Sequence, residues 1–199
     1  MAKLKQLIAA HPQHKDFGTE IIVKDRFGAG GELIFKVAKN DLKTIAKIIS
    51  DNPQTQFVLQ PFLLFDEGFT YDNKQSAADI RLIYHNGKVI QTYIRQAKKD
   101  EFRCNAHQGG TSTYLKKDEV PTRVKKIAAS VMQTLKQNLS FFALDFVVSN
   151  RGKVYLLEGN IRPGIYWEPG SAIEEKKSKF LINKIVEELH ARTMQLATR

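Results

Sequence analysis

The 199-residue sequence has a single cysteine and no apolar run near the roughly 20 residues that a membrane span requires. One cysteine excludes an internal disulfide and fits a reducing, cytoplasmic setting. The apolar stretch that follows Met1 is too short for a secretory signal. No block of Arg and Lys with interleaved aromatic residues is present, so the sequence gives little support for a nucleic-acid interface.

Acidic residues are outnumbered, with 21 Asp and Glu against 31 Lys and Arg and a formal net charge of +10. That excess favours anionic partners such as nucleotides or acidic peptides, although a basic solvated surface explains the charge without any partner. The composition, 42% hydrophobic and 26% charged, is that of an ordinary globular protein. The length allows one large domain or two small lobes.

Hydrophobic periodicity predicts hairpins that alternate with helices. The predicted strands are Glu20–Lys24, Glu32–Val37, Phe57–Gln60 (ending at Pro61), Asp79–Tyr84, Val89–Gln96, Phe141–Val148 and Lys153–Glu158. The predicted helices cover about 2–10, 41–50 (capped by Asn40 or Asp41), Pro121–Asn138 and Ala172–Gln195. We expect loops at 65–78 and Lys98–Tyr114, and Asn86-Gly87 predicts a tight hairpin turn.

The last predicted hairpin brings three oxygen donors onto one face. Its turn, Ser149-Asn150-Arg151-Gly152, places Asp145 opposite Glu158 or one position away, and opposed residues lie about 5 Å apart. Asn160 follows Glu158 by two residues and shares its face while the strand continues. Two carboxylates and one amide suit Mg²⁺, which prefers hard oxygen ligands, and do not suit structural zinc.

These two carboxylates would repel each other in a strand that is rich in apolar residues, so a cation should lie beside them. A metal ion meets this requirement. An ion pair with an Arg or Lys side chain meets it equally well. The geometry of the hairpin alone leaves both interpretations open.

A second candidate site is the glycine-rich turn from Gly28 to Gly31, which follows Lys24 at the end of a predicted strand. Glycines let backbone N–H groups approach a phosphate closely, and the lysine would reach the same phosphates. The turn is not a Walker A loop, because no Gly-Lys-Ser/Thr follows. Taken alone, the pattern is equally typical of a loose hairpin.

Four motifs are distinctive: D-I-R at Asp79–Arg81, R-x-A-K from Arg95, E-F-R-x-N-x-H-x-G-G at Glu101–Gly110, and E-x-N-x-x-P-G at Glu158–Gly164. Their order resembles the ATP-grasp superfamily, and within it the RimK-like branch that contains the ribosomal-protein glutamate ligase. The resemblance covers roughly residues 15 to 190.

The resemblance implies an α+β ATP-grasp fold, in which two α/β lobes with antiparallel sheets clamp ATP. The glycine-rich lobe would cover about 15–63 and the metal-binding lobe about 64–199. The implied nucleotide-binding residues are Lys24, Gly28, Gly30 and Gly31 at the phosphates, Gln60, Pro61, Phe62 and Leu63 at adenine, and Asp79 near the ribose. Those implied for the phosphate and acyl-phosphate region are Arg81, Arg95, Arg103 and Asn105, with Arg162 at a substrate carboxylate. Asp145, Glu158 and Asn160 would hold Mg²⁺, with Mn²⁺ as a second candidate.

The implied chemistry activates a carboxylate with ATP as an acyl phosphate, which an amine then attacks. The expected partners are therefore small carboxylates and amines, or a peptide or protein acceptor. An ATP-binding remnant or subunit without independent turnover is the main alternative. A homo-oligomer or partner subunit is also compatible with the resemblance, and a basic nucleic-acid-binding module is less favoured.

The sequence departs from the family pattern at several positions. Relatives usually carry an N-terminal domain, and we expect that domain to be missing here because few residues precede Lys24. Pro61 stands where Glu is common, and Cys104 stands where Ser is common. We interpret Cys104 as a small polar replacement and not as a nucleophile, and His107 as a passive loop residue. Tyr166 and Trp167 fit a substrate pocket or the core equally well.

Overall fold

The computed structural model describes residues 14–28, 30–71, 76–135, 141–165 and 169–197, with the isolated residues 6 and 9. Within them the strands are β1 (Phe17–Asp25), β2 (Ile34–Ala38), β3 (Phe57–Leu63), β4 (Ala78–His85), β5 (Lys88–Gln96), β6 (Thr111–Leu115), β7 (Phe141–Val148) and β8 (Val154–Asn160). The helices are α1 (Leu42–Asp51), α2 (Thr122–Leu135) and α3 (Ala172–Ala197), and short 3-10 helices cover His14–Asp16 and Ala106–Gln108. The helix predicted at 2–10 falls almost entirely outside the described residues.

Strand β1 is the centre of a three-stranded antiparallel sheet with the order β2-β1-β3. Its β-branched residues Ile21 and Val23 are fully buried and pack with Ile45 of α1. As predicted, Asp41 caps α1, and its carboxylate accepts the N–H of Thr44.

The prediction that the strand from Phe57 ends at Pro61 is wrong. Strand β3 continues to Leu63, and Pro61 lies opposite Ile21 of β1. Proline has no N–H to donate, but β3 is an edge strand with only one neighbour, where that loss is tolerated. The segment expected beside adenine is therefore part of the sheet.

A five-stranded sheet has the order β6-β5-β4-β7-β8. The predicted turn between β4 and β5 is confirmed, since Asn86 and Gly87 both have positive φ angles, 46° and 74°. The loop predicted for Lys98–Tyr114 is partly wrong, because β6 occupies its end. The β-branched and aromatic residues of Thr111–Leu115 gain hydrogen bonds by pairing with β5, a long-range contact that local polarity does not reveal.

The predicted hairpin of β7 and β8 is confirmed, with Gly152 in the left-handed region at φ 78°. Asp16 is buried at its turn and accepts the Ser149 hydroxyl at 2.9 Å and the Tyr155 hydroxyl at 2.7 Å. Burial, together with this acceptor, raises the pKa of Tyr155 well above its usual range, so the phenol stays protonated. These hydrogen bonds hold the turn end of the hairpin, and Asp145 lies on the first strand of that hairpin.

Helix α2 begins near the predicted position, and residues 136–140 of its predicted end are outside the described residues. Only part of its predicted apolar face is covered. Val124 and Ala128 are buried, whereas Ile127 and Leu135 are more than a third exposed. Helix α3 extends two residues past its predicted end. No helix in the described ranges is both long and apolar enough to cross a membrane.

The chain divides into two compact units. Unit 1 comprises Met1–Asp79, Ile94–Thr113 and Val147–Tyr155, and unit 2 comprises Ile80–Tyr93, Tyr114–Phe146 and Leu156–Arg199. Among its described residues, unit 1 contains a core at the three-stranded sheet and a smaller cluster around Ala77, Ala97 and Cys104. Unit 2 contains a cluster around Ile83, Ala143 and Leu181.

Candidate active site

A buried ion pair joins β4 and β7 in unit 2. Asp145 on β7 has no exposed surface, and Arg81 lies on the neighbouring strand β4. The Arg81 Nε donates to Asp145 Oδ1 at 2.6 Å, and Nη2 donates to Oδ2. This two-point contact between a planar guanidinium and a carboxylate is strong and fixes both side chains.

Glu158 lies beside the same cation. Its Oε1 is 3.7 Å from Arg81 Nη2, and its side chain is 48% exposed because β8 is an edge strand. The structure thus brings Asp145 and Glu158 to one positive group. Both interpretations from the sequence required a cation at this place, and Arg81 is the cation that lies there.

Asn160, the third predicted ligand, is the last residue of β8. Its Oδ1 accepts the backbone N–H of Arg162 at 2.8 Å and so shapes the turn that follows the strand. Arg162 itself is exposed. The predicted metal and carboxylate-binding residues at 158–162 therefore form one short continuous segment.

The chemistry of these donors fits a hard divalent cation. The described residues contain no group of three or more His, Cys, Asp or Glu side chains that could hold a metal. An ion here would use the carboxylates of Asp145 and Glu158 with other oxygen donors, which is the usual pattern for Mg²⁺ and Mn²⁺. Arg81, already bound to both carboxylates, shows that the site accepts positive charge.

A second buried ion pair joins β4 and β5 in unit 1. Arg95 Nε and Nη2 donate to the two carboxylate oxygens of Asp79, each at 2.8 Å. Their side chains are only 8% and 4% exposed. The resemblance implied that Asp79 lies near a ribose and Arg95 near phosphates. In the structure the two side chains form an ion pair with each other.

The glycine-rich turn between β1 and β2 packs against the segment that follows Cys104. Gly31 is buried with φ 80°, and a Cβ atom there would lie 3.0 Å from Asn105 Oδ1. Gly30 has φ 68°, and its Cβ would lie 3.5 Å from His107. The positive φ at both positions and the close approach of Asn105 at Gly31 favour glycine. Two motifs far apart in sequence thus meet in unit 1, whereas the predicted Gly28 is exposed at the start of the turn.

Arg103 is held by Glu101, which the sequence reasoning did not single out. Arg103 Nη2 donates to Glu101 Oε2 at 2.7 Å, and Glu101 Oε1 accepts the backbone N–H groups of Phe102 and Arg103. The Arg103 side chain is the largest of the causes that lower the pKa of Glu101 to about 2. The buried Nε–H of Arg103 has no hydrogen-bond partner within the described part of the chain.

The segment Gln60–Leu63 carries an aromatic surface. The Phe62 and Phe102 rings meet edge to face with centroids 5.6 Å apart. The ammonium of Lys36 lies 4.7 Å from the first ring centroid and 5.3 Å from the second. Lys36 is a second residue that the sequence reasoning missed, and its exposed position on β2 gave no signal. Lys24, on the adjacent β1, is half-buried and lies opposite Ile34 and Val58.

Cys104 is 3% exposed, and its Sγ lies 3.5 Å from the carbonyl oxygen of Ala77. Burial is the larger of two causes that raise the pKa of this thiol well above its usual range, and the negative charge of Asp79 is the second. A protonated buried thiol is a poor nucleophile. The structure therefore agrees with the interpretation that Cys104 is not a nucleophile.

We expect the native chain to react with a thiol reagent such as DTNB at pH 8 at least about 100-fold more slowly than the guanidinium-unfolded chain. The cause is the burial and protonation of Cys104, and the single cysteine makes the absorbance signal unambiguous. Equal rates in both states would contradict this placement.

The pKa of the Cys104 thiol is raised in the folded chain, so the free energy of unfolding should fall as the pH rises above the pKa of an exposed thiol, near 8.5.

The model of the RimK-like ATP-grasp domain matches residues 2–183. The chain belongs to this family. A probable alpha-L-glutamate ligase of Shewanella denitrificans is 37% identical over 119 residues, which are 59% of this chain and 36% of that protein. A probable alpha-L-glutamate ligase of Pseudomonas putida is 31% identical over 166 residues, 80% of this chain and 50% of its own length. The chain spans about half the length of such curated relatives, or less.

The solved structure of the D-cycloserine synthetase DcsG superposes with a TM-score of 0.53 at 15% identity, over 90% of this chain and 60% of that one. At this identity the likeness shows the fold alone. The α+β ATP-grasp fold expected from the motifs is confirmed by this superposition. The residues Tyr166 and Trp167, for which a pocket or a core position was expected, lie outside the described residues.

Proposed function

We propose that the chain is the catalytic body of an ATP- and Mg²⁺-dependent ligase that joins a carboxylate to an amine. The observation that carries this proposal is the convergence of Asp145 and Glu158 on one cation, in a chain whose family match covers residues 2–183. The family resemblance implied both carboxylates as metal ligands, whereas the hairpin geometry alone left an ion pair equally open. The buried, fixed Asp145 and the half-exposed Glu158 beside the same cation support the metal role.

In the proposed reaction, a carboxylate oxygen of the substrate attacks the γ-phosphorus of ATP, and the bond to the β–γ bridging oxygen breaks to release ADP. The amine then attacks the carbonyl carbon of the acyl phosphate. Inorganic phosphate leaves, the amine loses a proton, and an amide remains. Mg²⁺ held by Asp145, Glu158 and Asn160 would neutralise charge on the phosphates. No protein nucleophile is required, which agrees with the buried thiol of Cys104.

The other residues have positioning roles in this proposal. Phosphates are bound through charge and backbone N–H groups by Lys24, Gly28, Gly30, Gly31, Arg103 and Asn105. The close approach of Gly31 to Asn105 supports grouping these residues. Gln60, Pro61, Phe62 and Leu63 bind adenine, for which the Phe62 and Phe102 rings provide apolar surface. Asp79 lies near the ribose, Arg81 and Arg95 act at the phosphate and acyl-phosphate region, and Arg162 binds a substrate carboxylate. Such a site acts mainly by positioning and charge neutralisation.

The names of two relatives suggest a first substrate to test. The relatives from Shewanella denitrificans and Pseudomonas putida are both named as probable alpha-L-glutamate ligases. We propose L-glutamate as the amine substrate and a small carboxylate, or the carboxyl group of a peptide or protein, as its acceptor. The reaction would take place in the cytoplasm, where ATP is present and a single thiol remains reduced.

The test is release of ADP and phosphate from ATP and Mg²⁺ in the presence of single amino acids and peptide acceptors. ADP formation that requires both substrates, with an amide product of the expected mass, supports the ligase. Binding of ATP without ADP formation supports the alternative of an ATP-binding subunit without independent turnover. Failure to bind Mg²⁺-ATP overturns both.

Lys24→Ala should weaken Mg²⁺-ATP binding by about tenfold, because the variant removes a positive point charge expected at the phosphates. Isothermal titration calorimetry measures the change in Kd. Lys39→Ala is a matched control, since Lys39 is also half-exposed and follows β2 of the same sheet. Equal Kd values for the two variants would contradict the placement of Lys24.

A further inference from the structure

Arg81 binds the same two carboxylates that the proposed metal ion would need. Its Nη2 contacts Asp145 Oδ2 and lies 3.7 Å from Glu158 Oε1, while Nε holds Asp145 Oδ1 at 2.6 Å. Both oxygens of the buried Asp145 are thus engaged by one guanidinium. A second cation at these oxygens would have to compete with Arg81.

A divalent ion in contact with an Asp145 oxygen would lie within a few ångströms of the guanidinium that is bonded to that oxygen. Two positive groups so close repel, and the repulsion is weakly screened beside a fully buried carboxylate. The ion would also compete for lone pairs already used by Arg81. The ion pair therefore opposes metal binding in the chain without a nucleotide.

We propose that Arg81 is a built-in counter-ion, which holds Asp145 and Glu158 together and suppresses the binding of free divalent ions. The inference rests on the metal site of the proposed function. An anion such as the phosphates of a nucleotide compensates the guanidinium when a metal ion takes its carboxylates. Metal and phosphate then bind by an exchange of ion pairs, and Arg81 is a positioning residue for the metal.

The chain contains its own control for this idea. Arg95 and Asp79 form a buried, two-point ion pair of the same kind, at 2.8 Å for both contacts. Arg81 differs in that it also lies 3.7 Å from Glu158, the second proposed metal ligand. Loss of either arginine removes a cation from one buried aspartate, and loss of Arg81 also removes the cation beside Glu158.

The experiment measures Mn²⁺ bound to the full chain without nucleotide, by electron paramagnetic resonance, for wild type, Arg81→Gln and Arg95→Gln. We expect Arg81→Gln to bind Mn²⁺ about tenfold more tightly than wild type, since it removes a positive charge beside the ion. We expect Arg95→Gln to match wild type. Mn²⁺ should also raise the melting temperature of Arg81→Gln much more than that of Arg95→Gln. Mn²⁺ binding by Arg81→Gln that is no tighter than that of wild type would overturn the inference.

Arg81→Lys keeps a positive charge and serves if Arg81→Gln does not fold. Its single ammonium can compensate Asp145 but cannot bridge to Glu158 as the guanidinium does. We therefore expect Mn²⁺ binding several-fold tighter than wild type, and an unchanged Kd would overturn the inference. Mn²⁺ binding by wild type with ATP is measured separately. Its absence would overturn the proposed function, whereas the nucleotide-free comparison still reports on Arg81.

Discussion

Glu158→Gln should lower the rate of ADP formation by about a thousandfold, because loss of a charged metal ligand removes several kcal/mol of charge neutralisation at the phosphates. Folding should be little affected. Glu158 lies on the edge strand β8 with a side chain that is 48% exposed, and Arg81 still has Asp145 as its main partner. The variant therefore separates the chemistry of the site from the stability of the chain.

Glu175→Gln is the matched control for this prediction. Glu175 is a carboxylate of α3 in the same unit, 44% exposed and paired with Lys179 at 2.5 Å. An exposed pair of this kind contributes little, so turnover should change by less than about twofold. Kinetics are measured at saturating ATP and at several Mg²⁺ concentrations. A normal rate in Glu158→Gln would remove this residue from the metal site.

Local patterns in the sequence were sufficient for the hairpins that carry the site. Asn86-Gly87 and Gly152 take the positive φ angles that the predicted turns require. Because side chains alternate along a strand, the turn at Gly152 was enough to place Asp145 beside Glu158. The motifs also identified the family, which composition and periodicity alone would not have done.

The partners of these residues depended on contacts between strands that are distant in the sequence. Arg81 reaches Asp145 because β4 lies beside β7, an order that no local pattern encodes. The same limitation applies to the pairing of β6 with β5 and to the contact of Gly31 with Asn105. The continuation of β3 through Pro61 depended on its edge position, which is a property of the assembled sheet.

A large loss of stability is expected from breaking the second buried ion pair, between Arg95 and Asp79. Arg95→Met should lower the free energy of unfolding by about 3–5 kcal/mol, because the buried Asp79 carboxylate would lose the two charge-assisted hydrogen bonds from Arg95. Both side chains are less than a tenth exposed, so water cannot replace the lost partner. Urea denaturation followed by circular dichroism measures the change.

Asp79→Leu combined with Arg95→Met tests whether that loss comes from the orphaned charge or from the absent contact. With both charges removed, apolar side chains would occupy the two buried positions. The double variant should then recover to within about 1 kcal/mol of wild type, since a buried ion pair contributes little net stability over an apolar replacement. Recovery together with weaker ATP binding would indicate that the pair serves the ligand. A double variant as unstable as Arg95→Met would instead show that the hydrogen bonds themselves hold β4 to β5.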